Sequence, residues 1–83
     1  MKIQLRFFAS LREALGPQQE LELPDGSTVA ALRDGLRERG GRYAELLAPQ
    51  RAVRCAVNQA MAAETTVIHD GAEVAFFPPV TGG

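Results

Sequence analysis

The side chains able to do chemistry are few and poorly spaced for it. His69 is the single histidine and Cys55 the single cysteine. A zinc site needs several nitrogen or sulfur ligands, so none is expected, and no metal is assigned. Cys55 falls between Val53 and Val57 on the inward positions of an alternating strand. A thiol buried there has a raised pKa and is a poor nucleophile. Carboxylates such as Glu13, Glu20, Asp34, Glu64 and Glu73 are spread over turns and polar faces, with no pair set up for acid–base work. Gly40-Gly41 runs into Arg42-Tyr43 without the lysine and hydroxyl of a phosphate loop. The chain is therefore expected to bind no cofactor, and one reactive group remains, the terminal carboxylate of Gly83.

The last residues suit that group. Phe76-Phe77-Pro78-Pro79-Val80-Thr81-Gly82-Gly83 passes from an apolar strand into two prolines and ends on two glycines. The prolines keep the start of the tail extended. At ~3.3 Å per residue, residues 78–83 reach about 20 Å. Gly82-Gly83 presents a carboxyl end without a Cβ to any slot too narrow for one. A carboxylate is a poor acyl donor until AMP is transferred to it from ATP. The acyl-adenylate then accepts a sulfur nucleophile and becomes a thiocarboxylate. The expected organisation is a folded domain over residues 1–77 and a flexible Gly-Gly tail over residues 78–83, ordered only in a partner's groove.

The elements that carry this tail follow from periodicity. Residues 2–8 alternate, with Ile3, Leu5 and Phe7 on one face and Lys2, Gln4, Arg6 and Phe8 on the other. Ser10 and Glu13 have the spacing of a capping box for a first helix, which Gly16-Pro17 ends. Gln19 to Leu23 alternate again. A second helix begins at a Ser27 or Thr28 cap and runs to about Arg39. Its apolar stripe is Val29, Leu32 and Leu36, and Gly35 inside it weakens it. Arg33, Arg37 and Arg39 read as its solvated face. Tyr43, Leu46 and Leu47 suggest a short helical turn. Residues 52–57, a short strand near Ala60-Met61 and Glu73 to Phe77 complete the strands, with Thr66 to Ile68 extended over the surface. This order predicts an α+β domain: a mixed β-sheet with one main helix packed on one face. It resembles the β-grasp, or ubiquitin-like, fold, in which the first and last strands are neighbours at the sheet centre.

That adjacency has a consequence for the outward face. If Ile3, Leu5, Phe7, Val74 and Phe76 face the helix, Phe8 and Phe77 face away from it. They form an aromatic patch at the root of the tail, bordered by Met61, with Arg54 on the same face. Such a patch marks a partner surface.

Composition bounds the rest. The chain has 83 residues, 46% of them hydrophobic, and a net charge of −1. That is one small domain, without the basic excess of a nucleic-acid binder. No apolar run approaches a membrane span or a signal peptide. A lone cysteine fits a reducing compartment, so a cytoplasmic location is expected.

The motifs also carry a family likeness. Leu5-Arg6-Phe7-Phe8-Ala9 with Leu11-Arg12-Glu13, Ala56-Val57-Asn58-Gln59, and Asp70-Gly71-Ala72-Glu73-Val74-Ala75-Phe76-Phe77-Pro78-Pro79-Val80-Thr81-Gly82-Gly83 resemble the small subunit of molybdopterin synthase, the MoaD family of ubiquitin-like sulfur carriers. The likeness spans essentially the whole chain. It implies that an ATP-dependent, MoeB-like activating enzyme adenylates Gly83, with Gly82 beside it, and that sulfur is loaded as a thiocarboxylate. It implies a large subunit, MoaE, into which Pro78, Pro79, Val80 and Thr81 carry the loaded end. There two sulfurs pass to a cyclic pterin precursor, in a heterotetramer whose catalytic side chains belong to the large subunit. It places interface positions on Phe8, Met61 and Phe77. Carriers for thiamine, cysteine or tRNA thiolation, and ubiquitin-like protein modifiers, share the Gly-Gly end and remain alternatives.

Overall fold

A computed structural model of the chain describes residues 1–79. β1 (Lys2–Phe7) leads through α1 (Ala9–Leu15) into β2 (Gln18–Glu22). Then follow α2 (Val29–Arg37), α3 (Gly41–Leu46), β3 (Arg54–Val57), β4 (Ala60–Ala62) and β5 (Glu73–Phe77). The strands form one sheet in the order β2-β1-β5-β3-β4. β1 and β5 are parallel neighbours at the centre, and β1–β2, β3–β5 and β3–β4 are antiparallel. This is the mixed β-grasp sheet that the sequence predicts, with strand boundaries shifted by one or two residues.

The alternation of β1 and β5 builds the core. Ile3, Leu5, Phe7, Val74 and Phe76 are buried on the helix side, against Val29, Leu32 and Leu36 of α2. Phe7 stacks on Phe76 with ring centroids 6.3 Å apart and meets the edge of Tyr43 at 6.4 Å. Such aromatic pairs add to the burial energy of the rings themselves.

Three expectations change. Ser10 does not cap α1: the helix already includes Ala9, its N-cap is the extended Phe8, and no side chain caps it. A capping residue needs non-helical backbone, and Ser10 lies inside the helix. The Phe8 carbonyl instead accepts from the Arg12 N–H at 3.3 Å.

Residues 66–68 lie only partly at the surface: Val67 is exposed, as expected, but the segment is tied to the fold. Ile68 is buried, and Val67 bridges to Thr28. The reason lies at the start of α2, whose first N–H groups have no partner within the helix. Val29 and Ala30 donate to the carbonyls of Thr66 and Glu64 at 3.0 and 2.9 Å. Thr28 Oγ1 accepts from Ala31 at 3.2 Å. The segment is held because it supplies acceptors to the helix end.

Arg33 is not part of a solvated face but is buried. Its Nε donates to the Leu47 carbonyl at 2.9 Å, and Nη2 to the carbonyls of Ala48 and Arg51 at 2.6 and 3.0 Å. Nη1 reaches Glu64 at 3.2 Å. The chain after α3 turns its carbonyls inward, and a planar guanidinium can satisfy several of them at once.

Candidate functional site: the outward face of the sheet

The face of the sheet opposite the helices carries the predicted patch. Residues paired across strands share a face, and the register sets them in rows. Arg54 pairs with Phe77, and the row beside it runs Met61, Ala56, Ala75, Arg6. Phe8 follows β1 with extended backbone and donates its N–H to the Phe76 carbonyl at 3.1 Å. The β1–β5 ladder thus continues one residue further and holds Phe8 on the outward side rather than beneath α1.

Between the two rings lies an open notch of about 510 Å³. Phe8, Ala9, Phe77 and Pro78 line one part of it, and Arg6, Ala56, Gln59, Glu73 and Ala75 the rest. Small side chains make it: Ala56 and Ala75 sit at the centre of the face, where a larger residue would fill the space. Phe8 and Phe77 are half-buried, so each ring packs partly on the sheet and leaves part of itself to the notch. Met61 is more open, at 61% exposure, and Arg54 is exposed. The expected residues therefore share one face, with Met61 at the far end of its row from Arg6. Pro78 and Pro79 are half-buried, so the tail leaves the sheet at the notch. Val80, Thr81, Gly82 and Gly83 lie outside the described residues.

Arg6 was legible only as one of the polar positions of β1. Its guanidinium carbon stands 5.1 Å from the centroid of Phe8, and its Nη1 is 3.8 Å from Glu73 Oε1. Parity alone put Arg6 on the face of Phe8. The floor formed by Ala56 and Ala75 needed the register of β3 against β5, which no local pattern encodes.

The other reactive side chains stay apart from this face. Burial, reinforced by the nearby Glu64 charge, pushes the Cys55 thiol up to about 11. His69 is exposed in the turn before Asp70. Among the described residues no cluster of His, Cys, Asp and Glu has the makings of a metal site, and no helix is long and apolar enough to cross a membrane. A hollow of about 570 Å³ between α2 and the end of α3 is lined by Asp34, Arg37 and Glu38. Two of its charges pair with each other, Arg37 Nη1 to Asp34 Oδ1 at 2.6 Å. The notch on the sheet has an apolar floor, and Pro78 stands at its rim. Its residues are suited to gripping an apolar side chain of a partner.

The ThiS family model matches residues 5–83. The chain is 41% identical to the molybdopterin synthase sulfur carrier subunit of Escherichia coli, over 98% of this chain and 99% of that one. It is 39% identical to the subunit of the same name from Mycobacterium tuberculosis, over 100% and 99%. Among solved structures it resembles a chain in the complex of subunits 1 and 2 of the molybdopterin-converting factor from Helicobacter pylori. That match has a TM-score of 0.68 and 25% identity, covering 100% of both chains.

Proposed function

The chain belongs to the ThiS family, and from that membership we propose that it is the sulfur-carrier subunit of a molybdopterin synthase. One observation carries the reading. The full-length match to the Escherichia coli sulfur carrier subunit, at 41% identity, runs over a chain that ends in Gly82-Gly83. The one thiol, Cys55, is buried with a raised pKa, which agrees with a carrier that works through its main-chain terminus.

The chemistry then runs through the Gly83 carboxylate. A carboxylate oxygen attacks the α-phosphorus of ATP on an E1-like, MoeB-type activating enzyme, and pyrophosphate leaves. A hydrosulfide-level sulfur nucleophile attacks the acyl-adenylate carbonyl and expels AMP, and loss of the S–H proton leaves a terminal thiocarboxylate. In the large subunit that sulfur passes to the cyclic pterin precursor, two transfers completing the dithiolene of molybdopterin. Water returns the carrier to the carboxylate. The large subunit docks on the outward face, with an apolar side chain between Phe8 and Phe77 and Met61 and Arg54 at the margin. Pro78, Pro79, Val80 and Thr81 then lead Gly82-Gly83 into the large subunit's active site. The solved complex of subunits 1 and 2 from Helicobacter pylori supports a large-subunit partner. ATP-driven charging suits a cytoplasmic location.

The test is the intact mass of the chain after incubation with ATP, a MoeB-type enzyme and a sulfur source. The expected product is heavier by the exchange of one oxygen for sulfur, and deletion of Gly83 abolishes both the shift and molybdopterin formation. A Gly83-deleted chain that still supports molybdopterin formation would refute the carrier role.

A further inference from the structure

Arg6 lines the notch, and its guanidinium is underused. Nε is buried and has no hydrogen-bond partner among the described residues. The nearest carboxylate, Glu73, is 3.8 Å from Nη1, beyond hydrogen-bond range. Its guanidinium carbon stands over Phe8, 5.1 Å from the ring centroid. Arg33 gives the contrast. It donates to three carbonyls and Glu64 within the fold, so its donors are spent. An unpaired buried donor is costly, and the cost is relieved when an acceptor arrives.

We propose that Arg6 is the polar determinant of this docking face: the partner sets a carboxylate against the Arg6 guanidinium beside the apolar side chain that enters between Phe8 and Phe77. The inference rests on the proposed docking of the large subunit to the notch. A partner carboxylate in the notch can accept from the unpartnered Nε and from an Nη nitrogen together. That fork geometry is specific to arginine. Charge favours an acid over a neutral acceptor. Arg6 and Arg54 lie on this face on either side of β5, and among the described residues Glu73 is the one carboxylate that lines the notch. The low-dielectric floor of Ala56, Ala75 and the two rings strengthens the pair. Phe8 and Phe77 thus supply attachment, and Arg6 selects a partner that brings an acid to the same place.

The experiment is calorimetric titration of the full chain into the large subunit of a molybdopterin synthase, at low and at moderate salt. The variants are Arg6→Gln, Arg6→Lys and Arg6→Glu, with Phe77→Ala as the control for the face itself. Arg6→Gln is expected to weaken binding about tenfold or more, and to flatten the salt dependence that the wild type shows. Arg6→Lys recovers only part of the loss, and Arg6→Glu binds more weakly than Arg6→Gln. Melting temperatures of the variants stay near the wild type, because the side chain is 40% exposed. If Phe77→Ala weakens binding while Arg6→Gln does not, the Arg6 assignment is wrong and the docking face stands. An Arg6→Glu variant no weaker than Arg6→Gln overturns the carboxylate. If neither Phe77→Ala nor Arg6→Gln changes the affinity, the face is not the docking surface and both readings fall together.

Discussion

Arg33 Nη2 donates to the carbonyl of Ala48 at 2.6 Å, and this contact fastens the middle of α2 to the chain that leaves α3. The same guanidinium serves Leu47 and Arg51. Three inward-turned carbonyls therefore depend on one side chain that is 6% exposed. Arg33→Met keeps the apolar stem but leaves those carbonyls without their donor. It is expected to lower stability by about 2–4 kcal/mol. Thermal melts should show a drop of roughly 8 °C or more for a chain of this size. Arg33→Lys should not restore the wild-type melt, since one ammonium cannot match the planar spread of donors.

Gly35 is the opposite case, a residue that the packing does not need. A Cβ at Gly35 would meet nothing within 4 Å. Glycine within a helix costs about 0.5–1 kcal/mol against alanine, chiefly through chain entropy. Gly35→Ala is expected to stabilise the protein by that amount, read as a raised denaturant midpoint at an unchanged slope. A fall in the midpoint would mean that the groove between α2 and β2 is tighter than its geometry.

Cys55 couples stability to alkaline pH. Burial first, and the Glu64 charge second, raise its folded pKa from 9.0 to about 11. The folded state favours the neutral thiol, so the unfolded chain loses its proton first. The stabilising contribution is complete below the unfolded value and is lost as pH rises from about 9 to about 11. Urea titrations at pH 8 and pH 10.5 should show a larger loss for the wild type than for Cys55→Ala. The same burial makes the thiol slow to alkylate at neutral pH in the folded protein.

Phe77 tests the outward face. Its ring is half-buried on the sheet and lines the notch, while the core ring is its neighbour Phe76. Phe77→Ala is expected to keep the fold and weaken binding to the large subunit about tenfold or more, as truncation of a central aromatic does. Calorimetry beside a thermal melt separates the two effects. Unchanged affinity would remove the patch from the docking surface.

The sequence was most readable where one repeating pattern did one job. Period-two alternation in residues 2–8 and 73–77 placed Ile3, Leu5, Phe7, Val74 and Phe76 inside and Phe8 and Phe77 outside, and the folded chain keeps that division. The stripe of Val29, Leu32 and Leu36 located the main helix and its buried side. Errors arose where a residue's role depended on acceptors far along the chain. Ser10 and Glu13 had capping spacing, but α1 starts at Ala9 after an N-cap at Phe8, which leaves Ser10 inside the helix. Residues 66–68 looked like surface alone because nothing local shows that the first amides of α2 need their carbonyls.

By itself the sequence determined the α+β class and the inward and outward faces of the central strands β1 and β5. These follow from local periodicity and from residue chemistry, which need no knowledge of neighbours. Only the tertiary structure decided that Arg33 is an internal tie and that Arg6 lies over Phe8 with an Nε unpaired among the described residues. It alone set Ala56 and Ala75 as the floor between the two rings. The physical reason is register. Arg6, Ala75, Ala56 and Met61 come from four strands and form one row only when those strands pair in one alignment, which is fixed by the packing of the core beneath them.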